Sequence, residues 1–338
     1  MSDPDVISTG APGATAADAA SAGAAPTAKR RRQVPEIAAL LVVLIALGVF
    51  FSITSEFFLN YDNFVNILTA AAVTGIIAAP ATMLLIAGQF DLSVGSAAAF
   101  CGAVLASLAL HNDIYFSVLI AVLAGLGIGM VNGFFVTVVG INALITTLGT
   151  LAVFRGLTQV VTDGQTMAID RFGGLGTSRP LFDIPLPVYI FVGIAVAFWF
   201  LSRYTVFGRS MYAIGANPVA ARLNGIRSGR TIFVGFLLSG LCVAIGGLIL
   251  ASQLGAASPQ AASGMELSVV TAVILGGASL AGGRGAIAGT MVGLLIIGTL
   301  NNGLVLLNVS SFWQTVAQGA LLIFAVSFDQ LRIRLTSN

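Results

Sequence analysis

Apolar residues run along this chain in unbroken stretches about twenty residues long, without the period-two alternation of a half-buried strand. The runs cover roughly residues 37–53, 64–87, 92–110, 114–139, 142–162, 186–202, 231–251, 267–281, 286–306 and 312–329. Each is close to the length a helix needs to cross the hydrocarbon of a bilayer. The pattern predicts an all-α polytopic membrane protein with about ten transmembrane helices. A transmembrane β-barrel, which alternates over ten-residue segments, is excluded. Residues 1–33 are read as a disordered cytoplasmic tail, rich in Ala, Gly, Ser, Thr and Pro before its basic end. Residues 34–330 form the transmembrane domain, and residues 331–338 form a cytoplasmic C-terminal tail. The first apolar run follows basic residues but has no small-residue cleavage site after it, so it reads as a retained helix.

Composition strengthens this picture. Of the 338 residues, 57% are hydrophobic and only 8% charged. A soluble domain carries about a quarter charged residues, so a soluble globule is excluded. Cys101 and Cys242 lie inside apolar runs, which gives no disulfide framework, and a single histidine, His111, supports no metal site.

The charge distribution tests the helix count. With the N-terminus inside and ten crossings, the inner loops hold Lys29, Arg30, Arg31, Arg32, Arg203, Arg209, Arg222, Arg227, Arg230, Arg284, Arg332 and Arg334, which is 12 of the 15 basic residues. That asymmetry is the positive-inside rule, and it places both termini in the cytoplasm.

The sequence also echoes itself. Asp91-Leu92-Ser93-Val94 opens the third run and Glu266-Leu267-Ser268-Val269 the eighth. Asn132-Gly133 in the fourth run is echoed by Asn301-Asn302-Gly303 in the ninth. An offset of five helices reverses orientation in the membrane, which predicts a five-plus-five inverted repeat of the kind transporters use.

The longest inner loop, 203–230, carries Gly208, Arg209 and Gly215, then Asn217-Pro218-Val219-Ala220-Ala221-Arg222-Leu223-Asn224-Gly225. Asn217 suits a helix cap, Pro218 the first helical position, and Asn224-Gly225 a left-handed stop. The pattern predicts a two-turn helix, too short to be stable alone. It packs on the helix ends or on a partner protein, or else the loop lies on lipid headgroups.

At this loop the chain becomes recognisable. It resembles the permease subunits of bacterial ABC importers for monosaccharides, the ribose/xylose/galactoside branch that includes the autoinducer-2 permeases. The resemblance covers roughly residues 36–330 and rests on Gly88–Gly95, Thr147–Thr150 with Arg155-Gly156, the loop just described, Leu275–Gly285 and Asn301–Leu304. It implies a transport subunit of the bacterial inner membrane that moves a monosaccharide or related polyol. It implies four partners: an ATPase subunit, a soluble binding protein, a second permease copy or homologue, and the bilayer. Nucleic acid is not among them. It implies that Gly208, Arg209, Gly215, Asn217, Pro218, Ala221 and Gly225 couple the chain to the ATPase. ATP belongs to that partner, and no cofactor or metal belongs to this chain, whose only lysine is Lys29, so that the Walker A motif is absent. Gln89, Arg284 and Ala286 depart from the family pattern.

The candidate translocation path contains Asp91, Ser93, Asn132, Arg155, Glu266, Asn301 and Asn302. Ionisable residues at lipid depth point to function, yet each has a plainer reading. Asp91 caps the third helix or makes a substrate or gating contact, two roles that are compatible, and Glu266 with Ser268 offers the same local role on the other face. Arg155 either snorkels toward Asp163 or donates to a sugar or a facing carbonyl. The three asparagines either bond between helices or line the path. The 163–185 loop and residues 54–63 either receive the binding protein or simply connect. An ion-gradient-driven secondary transporter is the competing reading, weakened by the near-absence of carboxylates at mid-span. An intramembrane enzyme lacks any nucleophile–base pair.

Overall fold

The computed structural model describes residues 36–169 and 172–336. The predicted tail 1–33 lies outside these residues, as do Asp170 and Arg171 of the 163–185 loop and the last two residues of the predicted C-terminal tail.

The first five helices are α1 (Glu36–Thr54), α2 (Tyr61–Ile86), α3 (Val94–Ala109), α4 (Ile114–Phe134) and α5 (Ala143–Thr162). Local chemistry sets their starts. Asn60, Asp113 and Asn142 each precede a helix and accept a hydrogen bond from its first turn, at 3.3, 2.8 and 2.9 Å. α4 ends in a π-helical turn over Phe135–Val139, stopped by Gly140 in the left-handed region. The two-residue strand β1 (Met167–Ala168) and the short α6 (Gly174–Thr177) follow. Then come α7 (Leu186–Tyr204), α8 (Val206–Ala216), α9 (Pro218–Leu223), α10 (Ser228–Leu254), β2 (Ala256–Ala257), α11 (Met265–Leu275), α12 (Ile287–Leu306) and α13 (Ser311–Thr336). β1 pairs antiparallel with β2, Met167 opposite Ala257, and joins the 163–185 loop to the segment ahead of α11.

Among the described residues, seven helices are long and apolar enough to cross a membrane: α1, α2, α4 with its π turn, α5, α7, α10 and α12. The chain is an all-α polytopic membrane protein apart from the short ribbon. Three further apolar helices are shorter, at Val94–Ala109, Met265–Leu275 and Ser311–Ser327. Two of these are the third and eighth apolar runs, which open with the repeated motif. The eighth was expected to reach residue 281, but Gly276 and Gly277 end it at Leu275. The last helix continues to Thr336, past the expected boundary at residue 330.

α2 and α10 form the centre of the bundle, with Ile76, Ile77, Leu84, Phe236 and Ile249 fully buried. α10 packs on α4, α3 and α2, and α2 packs also on α12, α7 and α11. α3 lies against α4 and α5, while α11 lies against α12 and α13. α1 packs on α12 and leaves most of its apolar length exposed, which suits a lipid-facing helix.

Candidate functional site

Between α2 and α3 the chain runs through Gly88–Ser93 without regular structure. This connector carries a buried carboxylate, Asp91. Its Oδ1 accepts from the Ser93 backbone N–H at 3.1 Å and from the Ser93 hydroxyl at 2.6 Å. Its Oδ2 accepts from the Ser239 hydroxyl of α10 at 2.9 Å. Asn132 of α4 donates to Ser93 Oγ at 2.9 Å, and Thr150 of α5 donates to Asn132 Oδ1 at 2.8 Å. Five buried side chains thus tie the α3 connector to α10, α4 and α5. A buried network with every member bonded holds one arrangement against all others. Asp91 does not cap α3, because Ser93 occupies the N-cap position.

The start of α11 is built differently. Gly264, in the left-handed region, precedes α11, and Glu266 sits in the first turn. Its carboxylate lies against Gly95 in the first turn of α3, so that a Cβ at Gly95 would overlap Glu266 Oε2 and stand 2.6 Å from the Ala262 carbonyl oxygen. The two short helices therefore meet N-terminus to N-terminus. Glu266 Oε2 is buried and has no hydrogen-bond partner among the described residues. Among the described residues Arg155 of α5 makes no ion pair with Asp163. Its Nη1 donates to the carbonyls of Pro259 and Ala261, at 2.7 and 3.0 Å, and so fastens the segment ahead of α11.

The structure thus brings Asp91, Ser93 and Asn132 into one network, and Arg155 and Glu266 to the α3–α11 junction. Asn302 lies apart: it donates to Asn63 Oδ1 of α2 at 2.8 Å. The Oδ1 atoms of Asn301 and Asn302 are buried and unpartnered among the described residues.

At one end of the bundle, α8 and α9 form a separate feature. The spacing anticipates α9 but not α8, whose start is capped by Thr205 Oγ1 accepting from the Gly208 N–H at 3.2 Å. Asn217 caps α9, its Oδ1 accepting from the N–H groups of Val219 and Ala220, both at 3.0 Å. Pro218 occupies the first helical position, and Gly225 takes the left-handed region with φ 79°. Ala221 faces inward, 4% exposed, whereas Val219 and Leu223 are 68% and 84% exposed. Sequence reasoning missed these two. Val219 and Leu223 are apolar and four apart, so they share one face of the helix the caps predict. Arg203, Arg209, Arg222, Arg227, Arg230 and Arg284 are all exposed.

The inner side of α8 is a backbone-to-backbone joint. Gly215 packs on the Ile86 carbonyl at the end of α2, where a methyl group has no room, and a Cβ there would also stand 2.5 Å from the Gly283 nitrogen. The Gly283 N–H donates to the Ile86 carbonyl at 2.8 Å. Tyr212 donates to the Gly285 carbonyl at 2.9 Å, and burial raises the pKa of this phenol, so it stays a donor. Among the described residues, no group of three or more His, Cys, Asp or Glu side chains could hold a metal ion.

Residues 63–326 match the family described as branched-chain amino acid transport system / permease component. The chain is similar to the ribose import permease protein of Escherichia coli, 38% identical over 86% of this chain and 92% of that protein. It is 41% identical to the ribose import permease protein of Bacillus subtilis over 85% of this chain and 90% of that one. It is 39% identical to the L-arabinose transport system permease protein of Escherichia coli, over 86% and 90% of the two chains. No solved structure matches.

Proposed function

The chain belongs to the branched-chain amino acid transport system / permease component family, and from that premise we propose that it is the permease subunit of an ATP-binding cassette importer for a monosaccharide or related polyol. The family description names amino acids, but the similar full-length relatives carry ribose and L-arabinose in their names. The substrate class follows the relatives, which align over most of both chains. The protein is a multi-pass protein of the bacterial cell membrane, and it supplies the pathway rather than the energy.

The observation that carries this reading is α9: a capped helix with Val219 and Leu223 turned outward, on the end of the bundle lined with arginines. Apolar side chains exposed on a rigid element suit a protein partner. The partner is a cytoplasmic ATPase subunit that grips α9, while Gly208, Arg209, Gly215, Asn217, Pro218, Ala221 and Gly225 shape the segment. A soluble binding protein delivers sugar to the opposite face, against the 163–185 and 54–63 loops. A second permease copy or homologue completes the pathway.

Ten crossings, with both termini cytoplasmic, put α9 and its arginines on the inner side. The neighbours of the helices support the inverted repeat. Pairing α2–α5 with α10–α13 matches α2 on α12 with α10 on α4, α3 on α5 with α11 on α13, and α3 on α10 with α11 on α2. The first helix of each half departs, since α1 lies on α12 and α7 on α2. Short helices in matching positions of the two halves point to the substrate route. The route runs past the α3–α11 junction, where Glu266 offers an acceptor and Arg155 holds the segment ahead of α11. Asp91, Ser93 and Asn132 hold the frame on one side, and Asn301 and Asn302 lie along α12.

Vesicles containing this chain, its ATPase and its binding protein should accumulate ribose, L-arabinose or a related sugar only with ATP inside the compartment the ATPase faces. Uphill uptake by the isolated chain under an ion gradient would establish a secondary transporter instead.

A further inference from the structure

The joint beneath α8 joins three stretches of backbone that are far apart in sequence. One is the last turn of α8, Tyr212–Ala216, which leads directly into α9. The second is the end of α2, Ile86–Gly88, which leads within a few residues to Asp91 and α3. The third is the turn Gly282–Gly285 between α11 and α12. Gly283 N–H bonds Ile86, and Tyr212 bonds Gly285 at 2.9 Å. Cβ atoms at Gly282 and Gly283 would stand 3.2 Å from the Gly215 Cα and 2.9 Å from the Ala216 Cα, respectively. Gly282, Gly283 and Gly285 all have positive φ, at 81°, 75° and 152°. A side chain at any of these crossings would hold the three strands of backbone apart.

Direct contact of backbones leaves little slack. A displacement of α8 moves both the entrance to α3 and the exit of α11, the two short helices whose N-termini meet at Gly95 and Glu266. Rigid packed elements transmit motion in this way because packed interiors shift between discrete arrangements rather than stretch. We propose that the Gly282–Gly285 turn receives the movement of the α8–α9 segment and passes it to the α3–α11 junction, with Tyr212 and Gly215 as positioning residues of the transport cycle. The proposal rests on the reading of α9 as the ATPase contact. It adds the component through which that contact opens the pathway.

The test uses the whole importer, this chain with its ATPase and binding protein, in sealed vesicles. Sugar uptake and ATP hydrolysis are measured in the same preparation. Tyr212→Phe removes one hydroxyl and leaves the exposed face of α9 untouched. It should retain the ATPase and hydrolyse ATP near the wild-type rate, while sugar moved per ATP falls roughly five-fold, the scale of a modest coupling energy. Gly283→Ala, which strains the turn and crowds Ala216, should lower the same ratio further. A packing defect without a role in transmission lowers uptake and hydrolysis in proportion. An unchanged ratio in both variants overturns the proposal, whatever happens to the absolute rates. The wild-type complex separates this from failure of the functional reading, because a wild-type chain with no ATP-dependent uptake removes the functional reading itself.

Discussion

The Glu266 carboxylate lies on Gly95, so the first turns of α11 and α3 touch. Helix N-termini carry partial positive charge, and a carboxylate between two of them is favoured. Gly95→Ala forces a methyl group into Glu266 and the Ala262 carbonyl. Sugar uptake should fall by roughly ten-fold or more, as an ångström-scale misplacement does in a positioned site, while the ATPase still co-purifies. Adding Glu266→Ser to that variant should recover part of the uptake, because one of the two obstructions is gone. A double variant no better than Gly95→Ala alone rules out the contact as the cause.

The Asn132 amide is the middle link between Ser93 and Thr150. Asn132→Ala leaves Ser93 Oγ without its donor and Thr150 without its side-chain acceptor. Leaving a buried polar group unsatisfied costs about 1–3 kcal/mol. Thermal unfolding in detergent should shift down by a few degrees, on the order of 1–2 °C per kcal/mol for a chain of this length. Ser239→Ala should cost less, since Asp91 keeps both bonds from Ser93.

Val219 and Leu223 separate docking from folding on the same short helix. Leu223→Asp places a charge on the exposed face and should abolish co-purification of the ATPase with no change in thermal stability. Ala221→Asp buries a charge under α9 and should lower stability as well as ATPase binding. Equal stability losses in the two variants would show that Leu223 is not free to meet a partner.

Much of this architecture is legible in the sequence. Continuous apolar runs mark the spans, and Asn217-Pro218 with Gly225 fixes both ends of α9, because caps and stops act through adjacent residues. What hydrophobicity cannot show is which turn of a helix meets which. Ala221 reads as a surface residue of a cytoplasmic loop, yet only packing against the bundle turns it inward. Asp91 and Glu266 read as equivalents from the repeated motif. Their surroundings differ because Asp91 is bonded by Ser239, 148 residues away in sequence, and among the described residues none plays that part for Glu266 Oε2. The joint under α8 was invisible for a related reason. Its glycines look like ordinary turn residues until the end of α2 is found beside them.

Arg155 supplies the last prediction. A guanidinium at this depth is costly unless its donors are used, and among the described residues it makes no ion pair. It spends its charge on two carbonyls of one loop, those of Pro259 and Ala261. Two explanations make different forecasts. If the positive charge itself matters, Arg155→Lys preserves function. If the planar head spanning two carbonyls matters, lysine is a poor replacement, since its ammonium is a compact, strongly hydrated point charge. The geometry favours the second, because the planar Nη1 amino group aims its two hydrogens at two oxygens, 2.7 and 3.0 Å away, a fixed arrangement that a rotating ammonium does not reproduce. Arg155→Lys should therefore keep most of the thermal stability but lose most of the sugar uptake. Arg155→Met should lose both, having left two carbonyls unpaired at about 1–3 kcal/mol each. Vesicle uptake and detergent melting on the three chains decide it. Full uptake with lysine would make Arg155 a charge rather than a clamp and would detach the loop ahead of α11 from the transport step.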